Sequence, residues 1–154
     1  MDRHRTELSF AATIAGFGQA FGELRRALQD TRLEPATRYQ VELVFEEIVA
    51  NILRHGSPSG TTLAVKAALD VEEDKILLSF EDNGVPFDPG RHALPALPNA
   101  LAVGGGLGLL LVKRAASCLD YRRTPEHTNH LTVTLPVAEA RAGEASRATP
   151  FGRG

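Results

Sequence analysis

Residues 41–56 read VELVFEEIVANILRHG, and this stretch decides how the chain is understood. Val41, Val44, Ile48 and Ile52 recur at helical spacing, which predicts an amphipathic helix with one face on a core. Glu47, Asn51 and His55 interrupt that pattern four residues apart. On a helix they form one row along one face. A carboxylate and a carboxamide one turn apart can share one small site. An ordinary solvated helix face would also carry such residues, so the pair gains meaning only beside other features.

Around this helix the chain reads as one domain. It has 154 residues, 43% hydrophobic and 23% charged, enough for a full core and ordinary for a globular protein. The formal net charge of −2 gives no reason to expect nucleic-acid binding. The single Cys118 excludes an internal disulfide and a cysteine zinc cluster. It sits among Ala115, Ala116 and Leu119 and is expected to be a small core residue. The start, MDRHRTELSF, lacks the apolar stretch of a secretory signal, and no run approaches the roughly 18 apolar residues of a membrane span. A cytoplasmic protein without membrane contact is expected.

Residues 7–13 alternate and predict a first strand. Phe17, Phe21, Leu24 and Leu28 set a helical period over Gly16 to Gln29. Pro35 suits the first turn of the second helix, which ends at Gly56. Residues 57–60 read as a turn. Thr61 to Leu69 and Lys75 to Phe80 predict a hairpin joined by the acidic connection Asp70 to Asp74. Glu81 to Gly106 has four prolines, several glycines and no lasting period. A loop this long in a compact domain is usually functional or mobile. Gly108 to Cys118 predicts a third, very apolar and well-buried helix. Asp120 to Thr124 and His130 to Leu135 predict two closing strands around a turn at Pro125 to Asn129. Residues 138–154 have almost no large apolar side chain, so the domain is expected over 1–137 with a flexible tail after it. No internal repeat is present. The order predicts an α+β two-layer sandwich: a mixed, mostly antiparallel sheet with helices on one face.

Three polar clusters carry candidate chemistry. Magnesium takes oxygen ligands, keeps several waters and needs one or two protein oxygens beside phosphates, a role that the Asn51 carbonyl suits. Glu47, one turn away, can take a proton from a hydroxyl or orient a water for attack on a phosphoryl group. Asp82, in Glu81-Asp82-Asn83-Gly84-Val85-Pro86, follows a strand and can accept from an exocyclic amine. Gly84 permits the close backbone approach a flat ring needs. A plain Asn-Gly turn would read the same way locally. Gly104-Gly105-Gly106-Leu107-Gly108 runs into a helix, where backbone N–H groups and the helix N-terminus can hold phosphate. It lacks the Gly-Lys-Ser/Thr of a P-loop and the preceding strand of a dinucleotide fold, and a flexible hinge is the simpler alternative.

The order of the clusters says more than any one of them. Glu-x-x-x-Asn on a helix, Asp-x-Gly after a strand, a long loop, then glycines opening a helix resemble the Bergerat-type ATP-binding fold of gyrase-type, chaperone, histidine-kinase and mismatch-repair ATPases. Glu47-Ile48-Val49-Ala50-Asn51-Ile52 with His55-Gly56, and Gly106-Leu107-Gly108-Leu109, resemble most the small bacterial anti-sigma-factor serine/threonine kinases. The resemblance covers about Glu7 to Pro136. It implies ATP and magnesium as cofactors, Asn51 as metal ligand and Glu47 as catalytic base. It also implies that Asp82 accepts from the adenine amino group above Gly84. Gly104, Gly105, Gly106, Leu107 and Gly108 would lie at the phosphates, with the lid in Glu81 to Val103. Glu46 matches a carboxylate position too, but on another face. His55 matches a family position and is expected to be a packed or capping side chain. The resemblance further implies an anti-anti-sigma antagonist as phosphoacceptor, a sigma factor as alternate partner, and a homodimer.

Two departures stand out. Relatives often carry an Arg just before the glycine cluster, where this chain has Ala102 and Val103; Arg91 is the nearest lid cation. Relatives also often place Gly-Thr at the start of the last strand to support the adenine-binding Asp, where this chain has Thr128-Asn129-His130, and Asn129 is left unassigned. A non-catalytic ATP/ADP-binding module that switches partners is the alternative to a kinase. A severed histidine-kinase catalytic domain is disfavoured, because Phe17 to Leu28 contains no phosphoacceptor His.

Overall fold

The computed structural model describes residues 3–55, 62–91 and 107–137. The chain order is β1 (His4–Ala11), α1 (Ile14–Gln29), α2 (Pro35–His55), β2 (Ala64–Val71), β3 (Lys75–Asp82), α3 (Leu107–Ala115), β4 (Cys118–Arg123) and β5 (Asn129–Pro136). The strands form one sheet in the order β1-β2-β3-β5-β4. This is the expected α+β sandwich. Every ladder is antiparallel, so the parallel component that a mixed sheet allows does not occur among the described residues.

Strand periodicity explains the layers. On β3, Ile76, Leu78, Phe80 and Asp82 are buried, and the residues between them are half-buried. On β5 the buried set is Asn129, Leu131, Val133 and Leu135. Side chains two apart share a face, so both strands turn an apolar row towards the helices and end that row with a polar residue. Asp82 and Asn129 are partners across the ladder. The opposite face carries Ser79, Glu81, His130 and Thr132, and none of these is buried.

The helices close the other layer. Thr13 caps α1, its side chain accepting from the Gly16 N–H at 2.9 Å. Thr13 is therefore not in the first strand, which lies three residues earlier than the alternation suggested. Pro35 opens α2, where its missing N–H costs nothing. α1 packs on β1 and on α2, and α2 packs on β3 and α3. Phe45 of α2, completely buried, sits at the centre. Its ring centroid lies 5.7 Å from Phe80, 6.1 Å from Phe10 and 6.3 Å from both Phe17 and Phe21. One aromatic side chain thus joins β1, α1, α2 and β3.

Four local expectations are corrected. The hairpin strands run on to Val71 and Asp82, so Asp70 is a buried strand residue and not part of the connection. Arg5 on β1 and Arg3 just before it supply its ion pairs, which is what lets a carboxylate lie there. The third helix stops at Ala115 and is only partly covered: Leu109 and Val112 are buried while Leu111 is 38% exposed. It packs on α2 in an outer position, so one stripe is covered and its other side faces solvent. Cys118 is exposed and opens β4, not a helix. It lies on the edge strand, on the sheet face away from the helices. The closing strands begin earlier than expected, at Cys118 and at Asn129. The turn at 57–60, residues 92–106 of the long loop and the tail at 138–154 lie outside the described residues.

Phe45→Ala should lower unfolding free energy by about 3–5 kcal/mol, the usual cost of deleting a buried aromatic. Urea denaturation checks this. A loss under about 1 kcal/mol would show that the aromatic cluster is not the centre of the core.

Candidate active site

The site starts from α2. Residues four apart advance about 6 Å along a helix, so Glu47, Asn51 and His55 descend in steps along one side. Asn51 and His55 line a cleft between α2 and the end of the sheet, with Asp82 and Asn129 on the sheet side. Its walls are mostly apolar: Ile48, Ile52, Phe80 and Leu131 from α2 and the sheet, Val85, Phe87 and Pro89 from the segment after β3, and Tyr121 from β4. Few polar groups converging in an apolar cleft are the usual make-up of a small-molecule site. No Lys or Arg lines it among the described residues.

Asp82 is 8% exposed and Asn129 5%. One Asp82 oxygen, Oδ1, accepts from the Gly84 N–H at 2.9 Å and from Asn129 Nδ2 at 3.0 Å. The other, Oδ2, has no partner among the described residues. A buried carboxylate needs hydrogen bonds, and here half of it remains open towards an apolar cleft. That geometry suits a ligand that brings an N–H to a flat ring. Gly84 serves through its N–H, which holds the carboxylate. His55 stacks on Phe87 at 5.2 Å with an interplanar angle of 13°, so its role among the described residues is packing against the segment after β3.

Glu47 does not line the cleft. It stands one turn before Asn51 and faces the first turn of α3. A Cβ on Gly108 would fall on the Glu47 carboxylate, so only a glycine lets this helix start lie so close. Burial raises the Glu47 pKa above its ordinary value, neighbouring Glu46 adds to the rise, and Arg54 opposes it. Glu46 itself is exposed. Leu107 is the first residue of α3 and is half-buried. Gly104, Gly105 and Gly106 lie outside the described residues, as do Ala102 and Val103. Arg91 is exposed and pairs with Asp88 at 3.6 Å.

Sequence reasoning left Asn129 unassigned and passed over Tyr121 and Arg123. Asn129 Oδ1 accepts from the Tyr121 hydroxyl at 2.6 Å and from Arg123 Nη1 at 2.8 Å. The signal lay in strand spacing. Tyr121 and Arg123 are two apart on β4 and therefore share its helix-facing side, and Arg123 is the ladder partner of Asn129.

No group of three or more His, Cys, Asp or Glu side chains that could hold a metal occurs among the described residues. Magnesium held chiefly by phosphate and water needs no such group, and a single Asn carbonyl beside the cleft is compatible with it.

The family model for the histidine kinase-like ATPase domain matches residues 10–135. The chain belongs to that family, as an anti-sigma-factor-type, kinase-like ATPase domain. Over 130 residues it is 33% identical to the serine/threonine-protein kinase BtrW of Bordetella bronchiseptica, covering 83% of this chain and 89% of that protein. Among solved structures it is similar to a chain of the SiaB–SiaC complex from Pseudomonas aeruginosa, with a TM-score of 0.57 and 17% identity over 86% of this chain and 89% of that one. The second likeness bears on the fold alone.

The contact between Gly108 and Glu47 predicts a coupling. Gly108→Ala should destabilise the chain when Glu47 is present and be neutral or stabilising in a Glu47→Ala background, where alanine's better helix propensity is left. The coupling in a double-mutant cycle should be of order 0.5–3 kcal/mol. Equal effects of Gly108→Ala in both backgrounds would contradict the contact.

Proposed function

We propose that this chain is an ATP- and magnesium-dependent serine/threonine kinase that phosphorylates a small anti-anti-sigma antagonist and, in a competing assembly, holds a sigma factor. The carrying observation is the half-open Asp82 carboxylate in an apolar cleft, with Asn51 on the facing helix wall and Glu47 one turn before it. The serine/threonine-kinase name of BtrW supports the reaction class. In this reading Asp82 and Gly84 take the adenine. Asn51 offers its carbonyl to the cation, and residues 104–108 wrap the phosphates. Magnesium supplies charge neutralisation across the phosphates. Glu47 accepts the proton of the acceptor Ser or Thr hydroxyl as that oxygen bonds to the γ-phosphorus and the bond to the β-phosphate oxygen breaks. A phosphate on the antagonist adds roughly two negative charges at a docking surface and so disfavours that complex. The protein would act in the cytoplasm as a homodimer.

One observation favours a second reading, a nucleotide-binding module that switches partners without transfer: among the described residues no Lys or Arg lines the cleft, and Arg91 is engaged with Asp88. Incubation with labelled ATP, magnesium and a candidate antagonist separates the two. Transfer of label that falls by about 10²–10⁴ in Glu47→Gln, the usual share of a general base, with nucleotide still bound, supports the kinase. Tight nucleotide binding without transfer supports the module. Asp82→Asn should weaken ATP binding at least about tenfold, since an amide turned towards Asn129 and Gly84 cannot keep every bond the carboxylate makes. Unchanged affinity would remove Asp82 from the ligand.

The raised Glu47 pKa adds a pH dependence. The folded chain holds this proton more tightly than the unfolded chain does. The group therefore favours folding below its ordinary pKa, and that contribution is lost as pH rises through the raised value. Wild-type melting temperature should fall relative to Glu47→Gln across that window, whereas transfer should rise there as the base becomes free. Parallel melting curves for the two proteins from pH 4 to pH 8 (roughly the range in which carboxyl groups titrate) would contradict it.

A further inference from the structure

Arg123 does not line the cleft, yet it touches two groups that hold Asp82. Its Nη1 donates to Asn129 Oδ1 at 2.8 Å and to the Gly84 carbonyl at 2.9 Å. We infer that Arg123 is a positioning residue that sets purine specificity: by fixing which way round the Asn129 amide lies, it holds the Asp82 carboxylate in place as a hydrogen-bond acceptor and so selects a 6-amino purine over a 6-oxo purine. The inference rests on reading the cleft as an adenine-nucleotide site.

The two ends of a carboxamide have nearly the same shape, so packing alone does not choose between them. Chemistry does. A guanidinium has five donors and no acceptor, so the group facing Arg123 must be the amide oxygen. The Tyr121 hydroxyl can donate or accept and therefore follows the choice. With the oxygen turned to β4, Nδ2 is turned to the cleft side, 3.0 Å from Asp82 Oδ1 and 2.9 Å from the Val85 carbonyl. Asp82 Oδ1 also takes the Gly84 N–H. One carboxylate oxygen is thus occupied by two donors and the other is left with its lone pairs free.

The reversed amide fails on both sides. Its NH2 would meet the N–H of Arg123, and its oxygen would meet the oxygens of Asp82 and Val85. That repulsion would turn the Asp82 carboxylate away from Asn129, and its open oxygen would no longer stand where a donor on the ligand meets it. An acceptor matches the amino group at the purine 6-position; a donor matches a carbonyl there. A site built to receive a hydrogen bond rejects a ligand that cannot give it, because its own buried group stays unpaired. The polar choice is made by Arg123, outside the cleft, and carried through Asn129.

The test compares ATP with inosine triphosphate, which has the same phosphates and an oxygen at the 6-position. Equilibrium titrations with magnesium on the full chain give the ratio of the two affinities. Wild type should prefer ATP by about tenfold or more, as a lost buried hydrogen bond implies. Arg123→Met and Asn129→Ala should each cut that ratio several-fold, mainly through weaker ATP binding. Arg123→Lys, which keeps a donor, should retain most of it, and Tyr121→Phe should change it less than about twofold, the hydroxyl being the follower. Equal loss of both nucleotides in Arg123→Met marks a merely structural role and overturns the inference. So does an unchanged ratio in folded Arg123→Met and Asn129→Ala, and in that case the adenine site itself stands. Failure of wild type to bind ATP overturns the site reading and this inference together. A measurement on the unaltered chain covers a variant that does not fold: the Asn129 side-chain NH2 protons should exchange slowly with solvent, and rapid exchange would overturn the proposal.

Discussion

The site depends on a carboxylate held in low-dielectric surroundings with only half of its bonds made. Asp82 ends β3, in register with Asn129 on β5, and the ladder that pairs them also sets the polar end of the apolar row. Gly84 and Asn129 saturate one oxygen, and because no fully buried side-chain oxygen lacks a partner among the described residues, the other is accessible from the cleft. The remaining oxygen is the feature a ligand can exploit, and its direction is determined before any ligand arrives.

Holding that direction requires the sheet and α2 to be rigid with respect to each other. The aromatic cluster around Phe45 does this, since its partners come from both layers. α2 then serves two ends of the site. Asn51 meets the cleft and Glu47 meets the start of α3, one turn apart on the same helix. Side chains on a packed helix are more narrowly placed than side chains on a loop, which suits groups that must act on one molecule at two points. The glycine at 108 is the matching concession in α3, where any side chain would displace Glu47.

Much of this was readable in the residues, and the misreadings have physical causes. α2 was legible because its 3.6-residue apolar period runs through several turns. The Glu47, Asn51 and Asp82 clusters were legible because polar residues broke an apolar pattern at fixed spacing. Strand ends were harder. Asp70 looks like a turn residue until Arg3 and Arg5 are placed beside it, and that pairing is non-local. Cys118 looks like core because its neighbours are small and apolar, but edge position and strand parity turn it to solvent. Asn129 could not be assigned from spacing, since its meaning lies in two residues on the neighbouring strand and in a carboxylate 47 positions away.

The most direct measurement is a crystal structure of the chain with a non-hydrolysable ATP analogue and magnesium. The account predicts the 6-amino nitrogen about 3 Å from Asp82 Oδ2 and the Asn51 side-chain oxygen about 2.1 Å from the cation. A purine bound elsewhere, or bound in this cleft without contacting Asp82, would contradict it.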